Sequence, residues 1–284
     1  MNSRDIEQWD VDILPQKKWF DFNLKQIWEY RDLLFLFVKR DIISFYKQTI
    51  FGPIWFIVQP ILTTIIYTFI FGNLAEISTD GIPKPLFYLI GITSWTYFSE
   101  TFIKTSTIFR DNAAIFGKVY FPRVISPLSI AASNLIKFLI QFLIIIFLII
   151  FYCIKGYHFN IDYHLIYLPI FILLMAIQGL GFGMIITALT TKYRDLVFLV
   201  TFGVQLMMYT TTVIYPLSTV KGNMYWIIAL NPMTFIIEGI KYTISGYGIF
   251  SFYTFMYSIL VSFLIFIAGY IIFNKVEKTF IDTI

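Results

Sequence analysis

Long runs of apolar residues without a charge are the feature that most constrains this chain. One run, from 54 to 71, has 18 uncharged residues, and similar runs recur along the sequence. A helix of about 18–20 residues is long enough to cross about 30 Å of hydrocarbon. The runs are continuous rather than alternating, which favours membrane-spanning helices over strands.

The low content of charged residues supports a membrane location. Of 284 residues, 13% are charged and 58% are hydrophobic, whereas about 25% charge is usual in globular proteins. A buried helical hairpin in a soluble protein would explain one run but not its recurrence. We therefore predict an all-α integral membrane protein with six transmembrane helices, at about 54–71, 86–103, 128–154, 165–189, 196–215 and 252–273.

An amphipathic helix is predicted before the first span, over 31–50. Its cationic side chains Lys39, Arg40 and Lys47 lie opposite the apolar arc, as expected of a helix on a membrane surface. Pro53 ends the helix at a Gly52-Pro53 corner. Residues 1–27 are predicted to form a soluble extension. The apolar arc consists of Leu34, Phe35, Val38, Ile42, Phe45 and Tyr46.

Residues 217–250 have a different pattern from the spans. Two apolar pieces, 224–230 and 233–240, are each too short to cross a membrane and are separated by Asn231-Pro232. Pieces of this length predict a re-entrant or interfacial hairpin.

The distribution of basic residues predicts the orientation of the six spans. With the N-terminus inside, the inside segments carry fifteen Lys and Arg residues and the outside segments carry four. Inside segments of membrane proteins are enriched in Lys and Arg. We therefore expect both termini in the cytoplasm and the 217–250 hairpin outside.

The sequence contains no recognisable catalytic set. There is no Gly-x-x-x-x-Gly-Lys-Ser/Thr sequence for nucleotide phosphates and no His-Glu-x-x-His metal motif. His158 and His164 share one external loop without a suitably spaced third ligand, so no metal site is predicted. A single cysteine, Cys153, excludes an internal disulfide.

Few ionisable residues fall within the apolar segments. Glu100 and Lys104 have the i,i+4 spacing of a self-neutralising pair. Lys137 either extends toward the membrane surface or has a function. Glu238 and Lys241 have the i,i+3 spacing of a local ion pair, and this explanation and a functional role both stay open. No series of acids for proton transfer is present.

Two helix faces combine aromatic, amide and hydroxyl groups. Such faces line a path for a hydroxyl-rich solute, because rings cover sugar C–H groups while amides and hydroxyls bond sugar hydroxyls. Contact between helices is the alternative explanation. The Gly179-x-x-x-Gly183 spacing predicts close helix packing. The first face has Trp55, Gln59, Thr63 and Tyr67, and the second has Thr201, Gln205, Met208, Tyr209, Thr212 and Tyr215.

Four sequence elements on this framework resemble one family. The chain is similar to the permease subunits of type-two ATP-binding-cassette (ABC) exporters, in particular the O-antigen and teichoic acid exporters. The resemblance covers about residues 28–280. The elements are Phe51-Gly52-Pro53-Ile54-Trp55 with Gln59-Pro60, Lys118-Val119-Tyr120-Phe121-Pro122-Arg123, Lys192-Tyr193-Arg194-Asp195, and Asn231-Pro232-Met233-Thr234 followed by Glu238.

The resemblance implies a homodimer that works with two copies of a separate ATPase subunit. ATP and magnesium would bind that partner, and the chain itself would carry no cofactor and bind no nucleic acid. A polysaccharide on an undecaprenyl-type lipid would pass between the two protomers, along faces of the first and fifth spans. The surface helix and a short helix within 108–122 would receive the ATPase's motion, through Lys39, Arg40, Lys47, Arg110, Asp111 and Lys118.

The 217–250 hairpin would form an external gate containing Asn231, Pro232 and Glu238. The resemblance is weaker at Lys241, where many relatives have arginine. The expected location is the bacterial inner membrane, and the expected cargo is O-antigen. Alternative cargoes are teichoic acid or capsule, and more distant alternatives are drug or lipid efflux, an enzyme acting on polyprenyl-linked sugars, or a membrane anchor.

Overall fold

The computed structural model describes residues 24–47, 52–160, 163–193 and 195–281. Most of the predicted N-terminal extension, the end of the predicted surface helix at 48–50, and Arg194 lie outside these ranges, as do the side chains of Phe45 and Tyr46. Within the described ranges the chain is helical and has no strand. The helices are α1 (Leu24–Glu29), α2 (Arg31–Lys47), α3 (Trp55–Tyr67), α4 (Lys84–Ser106), α5 (Ile108–Asp111), α6 (Ala113–Phe116), α7 (Ile125–Ile154), α8 (Leu168–Lys192), α9 (Leu196–Tyr209), α10 (Asn223–Leu230), α11 (Pro232–Ser245) and α12 (Phe252–Ile281).

Helix α4 lies at the centre of the bundle. It packs against α3, α7, α8, α9 and α11, and 16 of its 23 residues are buried. Its polar side chains therefore face other helices rather than lipid. The Thr101 hydroxyl, for example, accepts a hydrogen bond from the Asn134 side chain of α7 at 3.2 Å. A helix with protein on all sides needs no continuous apolar surface, which explains why α4 is the least apolar of the long helices.

Helices α4 and α8 approach each other closely at glycines. A Cβ atom added to Gly183 would lie 2.4 Å from the Thr105 Cβ, and one added to Gly179 would lie 3.1 Å from the Phe98 carbonyl oxygen. The close packing predicted from the Gly179-x-x-x-Gly183 spacing is therefore confirmed. Small residues allow this approach because they leave no side chain between the two backbones.

Four helices in the described part of the chain are long and apolar enough to cross a membrane. They match the first, third, fourth and sixth predicted spans, and a bent helix pair gives a fifth candidate if it is counted as one span. The second predicted span is α4, which is long enough but less apolar. The four candidates are Gly52–Leu74, Ile125–Ile154, Tyr163–Lys192 and Phe252–Glu277.

The fifth predicted span is shorter than expected. Helix α9 ends at Tyr209 rather than at 215 and has 14 residues, which corresponds to about 21 Å at 1.5 Å per residue. The hydroxyls of Thr210 and Thr211 donate to the carbonyls of Met207 and Met208, at 2.9 Å and 2.6 Å. Hydroxyls that bond to nearby carbonyls compete with the helical hydrogen bonds, and α9 ends at this run of threonines.

The predicted corner between the surface helix and the first span is confirmed at its described residues. Gly52 has a positive φ of 50°, and a single 3₁₀ turn, Gly52–Ile54, leads into α3. After α3 the backbone continues as a π-helix over Thr68–Leu74. The first span is therefore continuous but changes its hydrogen-bond pattern at Thr68.

The two short apolar pieces form α10 and α11, which meet at an angle of 88°. The bend is at Asn231, whose side-chain oxygen accepts a hydrogen bond from the Met233 N–H at 3.1 Å and caps α11. Pro232 occupies the first position of α11, where its missing N–H leaves no bond unmade. Helix α11 is buried along most of its length, whereas α10 is largely exposed.

Candidate functional site

The aromatic and polar face of α3 is largely open in the single chain. Trp55 and Gln59 are exposed, and Thr63 and Tyr67 are partly buried. The Thr63 hydroxyl donates to the Gln59 carbonyl at 2.9 Å, so this hydroxyl has a hydrogen-bond acceptor within α3. The Tyr67 ring makes an edge contact with Tyr88 of α4, with the ring centres 6.3 Å apart.

The second face divides at the end of α9. Thr201, Gln205 and Tyr209 are exposed on the helix. Thr212 lies beyond the helix end and is fully buried, and its hydroxyl donates to the Thr234 carbonyl at 3.3 Å. Tyr215 is partly buried, and its hydroxyl donates to the Tyr209 carbonyl at 2.8 Å. The structure therefore sets Thr212 apart from the open face.

The faces of α3 and α9 belong to two helices that pack on the same central helix. Both helices pack on α4, and the Tyr67 and Tyr209 phenols lie near enough to interact electrostatically. Between the polar positions both faces carry exposed apolar side chains, including Ile66 of α3 and Phe202 and Leu206 of α9. This open surface combines rings with amides and hydroxyls, which suits weak contacts with a long polar solute or with a second protein surface.

The bend between α10 and α11 is fixed by hydrogen bonds from other helices. The Asn231 amide donates to the Thr210 hydroxyl at 3.2 Å, which connects the bend to the end of α9. The Gln178 amide of α8 donates to the Pro232 carbonyl at 3.3 Å and to the Ser262 hydroxyl of α12 at 2.9 Å. Asn231 and Pro232 therefore lie where α8, α9, α11 and α12 are joined.

Glu238 forms a buried ion pair with Lys241. The atoms Oε1 and Nζ are 3.5 Å apart, and both side chains are 1% exposed. The Lys241 ammonium also donates to the Thr212 carbonyl and lies 3.5 Å from the centre of the Phe87 ring of α4. The local ion pair expected from the i,i+3 spacing is therefore present, and the ammonium also links α11 to α4 and to the chain after α9.

Lys241, Phe87 and the Thr212 carbonyl were not among the predicted site residues. The spacing of Glu238 and Lys241 pointed to a pair, but nothing in the sequence placed Phe87 beside it. An ammonium over an aromatic face is attractive, and this contact depends on how α4 and α11 pack.

The six predicted coupling residues are all exposed at one end of the bundle. They lie on α2 or on the segment containing α5 and α6, which are two single helical turns rather than one short helix. Two of the six, Arg40 and Asp111, line the same cleft. The structure thus brings together two segments that are far apart in sequence. The exposed residues are Lys39, Arg40, Lys47, Arg110, Asp111 and Lys118.

A second apolar cluster lies beneath this surface. Phe37 of α2 contacts Phe121 edge-on, with ring centres 5.6 Å apart, and Phe109 of α5 stacks on Phe273 of α12 at 5.0 Å. Helix α2 therefore buries Phe37 and Val38. Phe35, on the apolar arc predicted to face the membrane, is 71% exposed, whereas Val38 of the same arc is buried.

The ionisable residues of α4 and α7 form one cluster. Glu100 accepts from Lys104 at 3.2 Å and from Lys137 at 2.8 Å. Lys104 also donates to the Asn134 side chain at 3.2 Å. The predicted Glu100–Lys104 pair is confirmed, and Lys137, which is mostly buried, bonds to the same carboxylate.

The histidines do not form a metal centre with other described residues. In those parts of the chain no three His, Cys, Asp or Glu side chains come together. The His164 ring stacks on Tyr163 with centres 4.1 Å apart and packs within an aromatic cluster that includes Phe250.

Comparison with known proteins places this architecture in a family. Residues 32–245 match the model of the ABC-2 type transporter family. The chain belongs to the ABC-2 type transporter family. The matched region of this ABC-2 chain runs from the start of α2 to the end of α11, and it includes both open faces, the bent pair and the two charged segments.

Curated relatives of the ABC-2 chain share one name. Two from Klebsiella pneumoniae, each called O-antigen export system permease protein RfbA, are 29% and 26% identical over 252 and 253 residues. Both alignments cover 88% of this chain and 94% of the relative. A protein of the same name from Myxococcus xanthus is 26% identical over 213 residues, which is 74% of this chain and 79% of the relative.

Proposed function

We propose that this chain is the channel-forming permease subunit of an ATP-driven exporter that moves lipid-linked O-antigen across the bacterial inner membrane. The observation that carries the proposal is the match to proteins named as O-antigen export permeases along 94% of the length of two of them. The aromatic and polar surfaces of α3 and α9 support it, because they suit a hydroxyl-rich cargo.

The proposed assembly contains two copies of this chain and two ATPase subunits. The sequence has no P-loop, so ATP and magnesium would bind the partner. Most of α3 and α9 is open in the single chain. In a homodimer these surfaces would face each other across a channel lined by Trp55, Gln59, Thr63, Tyr67, Thr201, Gln205, Tyr209 and Tyr215.

A sliding polymer explains why the proposed channel has many weak contacts rather than one tight site. Conduction requires binding weak enough for the cargo to leave each position. Exposed rings and amides spaced along α3 and α9 provide such contacts. An undecaprenyl-type lipid would carry the polymer to this channel.

The ATPase would act on the charged end of the bundle. Helix α2 and the α5–α6 segment share one apolar cluster, so a push on either segment is transmitted to α7, α8 and α12. This end would face the cytoplasm, as would both termini, because the basic residues concentrate there. The bent α10–α11 pair would lie at the opposite end and form the external gate.

Deletion of the gene in its own organism tests the cargo. We expect the cell surface to lose O-antigen while lipid-linked polymer accumulates inside, and we expect the affinity-tagged permease to co-purify with an ATPase subunit. Loss of capsule or teichoic acid with O-antigen unchanged would show another polymer as cargo. Unchanged surface polymers together with absence of an ATPase would contradict the proposal and favour an anchor or an enzyme.

A further inference from the structure

A polar cleft separates α2 from the ends of two long helices. It has a volume of about 380 Å³. Its walls come from α2, the C-terminal end of α4, the α5–α6 segment and the N-terminal end of α7. The cleft therefore lies where the bundle meets the membrane surface, beside the amphipathic helix.

The floor of the cleft contains two buried hydroxyls without a partner. Ser126 and Ser133 are 3% and 4% exposed, and neither Oγ atom has a hydrogen-bond partner among the described residues. Ser129 lies between them and lines the same cleft, but its hydroxyl donates to the Ser126 carbonyl at 2.8 Å. Buried polar groups are nearly always hydrogen-bonded, so two exceptions on the cleft-lining face of α7, two turns apart, indicate that a ligand or water completes them.

The rest of the cleft has two positive and two negative side chains. Arg40 bonds Asp41 at 2.9 Å. Lys104 and Asp111 line the cleft with them, and these two side chains are also bonded to Glu100 and Arg110, at 3.2 Å and 3.0 Å. A ligand with only negative charge would meet two carboxylates, and a neutral sugar would not use the charges. A ligand with both a phosphate and an ammonium group complements the cations, the carboxylates and the hydroxyl donors at once.

We propose that this cleft binds the headgroup of a zwitterionic aminophospholipid such as phosphatidylethanolamine. Ser126 and Ser133 lie two turns of α7 apart, about 10 Å along the helix. One hydroxyl therefore donates to the phosphate together with the nearby cations, the other donates to an ester oxygen of the same lipid, and the ammonium donates to Asp41 and Asp111. The acyl chains extend along the exposed apolar surface of α7, which includes Ile136 and Leu139. The proposal depends on the membrane location of the chain and not on the cargo.

A lipid in this position would act as part of the charged end of the bundle. It would fill the space between α2 and the α5–α6 segment, the two segments proposed to receive the ATPase's motion. Removing it is expected to loosen the contact between them.

Native mass spectrometry of the full chain with defined lipids tests the proposal. The purified protein is exchanged into detergent with equal amounts of phosphatidylethanolamine, phosphatidylcholine and phosphatidylglycerol. We expect retention of about one phosphatidylethanolamine per chain, because choline has no N–H donors and phosphatidylglycerol has no cation. Equal retention of the three lipids by the wild-type protein would overturn the proposal, and so would retention of none, which would leave water as the only partner of the serines.

Matched serine variants locate the binding site. Ser126→Ala with Ser133→Ala is expected to lower affinity for phosphatidylethanolamine about tenfold or more, since one hydrogen bond to the charged phosphate and one to an ester oxygen are lost. Ser129→Ala is the control, and it should change affinity less than about twofold because that hydroxyl is already bonded within α7. Equal affinity in the double variant and the wild type would refute the assignment to this cleft.

Free O-phosphoethanolamine distinguishes a lipid from a soluble ligand. If the free compound displaces phosphatidylethanolamine from the wild-type protein but not from the double variant, recognition of the headgroup at this cleft is supported. Binding of the free compound to a protein that retains no lipid would overturn the lipid assignment.

Discussion

Helix α4 and the pair α3 and α9 are in opposite environments within one bundle. Helix α4 has 16 buried residues of 23, whereas α3 has two of 13 and α9 has one of 14. The more polar helix is thus the buried one, and the more apolar helices are open. In water this arrangement would be reversed, because burial of apolar surface drives folding there.

The contrast separates the part of the chain that maintains the fold from the part available for contacts outside it. Side chains of neighbouring helices bond to α4, as Asn134 of α7 does to Thr101, and close glycine contacts join α4 to α8. The surfaces of α3 and α9 make few contacts within the chain. We therefore expect substitutions around α4 to change stability and substitutions on α3 and α9 to change transport.

The largest effect is expected at the buried ion pair beside α4. Lys241→Met leaves Glu238 without its cation, and breaking a buried pair by removing one partner costs about 3–5 kcal/mol. We expect a lower melting temperature in detergent for this variant than for the wild type, or too little folded protein to measure. The double variant Glu238→Gln with Lys241→Met is the control and should regain most of the stability, because no charge is left buried. Equal stability of the single variant and the wild type would contradict the expectation.

The next largest difference in stability is expected between alanine substitutions at two helical glycines, one packed against α4 and one on the open face of α9. Gly183→Ala places a Cβ 2.4 Å from the Thr105 Cβ between α8 and α4, and overpacking of this kind costs about 1–3 kcal/mol. Gly203→Ala on α9 has nothing within 4 Å of the added Cβ and should be neutral or stabilising by up to about 1 kcal/mol. Melting temperatures of both variants provide the test. A similar loss in the two variants would mean that α9 is also closely packed within the chain.

Aromatic substitutions on the open faces are expected to change transport without unfolding the protein. Trp55→Ala and Tyr209→Ala each remove an exposed ring worth roughly 1 kcal/mol in contacts, which corresponds to about a fivefold fall in surface polymer. Tyr253→Ala is the control, since Tyr253 is an exposed ring on α12 rather than on α3 or α9. Normal export in both face variants would exclude these rings from the path.

Charge reversal on the α5–α6 segment is expected to have the smallest effect on stability. Arg110→Glu with Lys118→Glu alters exposed groups, and surface ion pairs contribute under about 1 kcal/mol. We expect about threefold less polymer exported per ATP hydrolysed, measured in membranes containing the proposed ATPase partner. Lys221→Glu, at an exposed position before α10, is the control. Unchanged coupling in the double variant would place the ATPase contact elsewhere.

Sequence reasoning predicted the positions of most helices but not all of their ends. Continuous apolar runs located α3, α7, α8 and α12, because a helix in lipid must be apolar along its length. The end of α9 was missed because threonines are compatible with an apolar run. Their effect depends on hydroxyls bonding back to Met207 and Met208, and such bonds are not visible in hydropathy.

The candidate site was only partly predictable from the sequence. Helical periodicity placed Trp55 and Gln59 on one face and Thr201 and Gln205 on another, and these residues are open in the structure. Periodicity also placed Thr212 on a face that the helix does not reach. Whether the two faces form a channel is tested by the aromatic variants described above.

By itself, the sequence determined that this chain is a helical membrane protein, because charge-free runs of this length leave the backbone no other way to satisfy its hydrogen bonds in lipid. It also determined the Glu238–Lys241 pair and the close helix contact at Gly179 and Gly183, since residues three or four apart share a helix face. Only the tertiary structure decided that Lys137 joins Glu100, that Lys241 meets Phe87, and that the cleft beside α2 contains unbonded serines. These contacts join residues from separate helices, and their geometry depends on packing rather than on spacing along the chain.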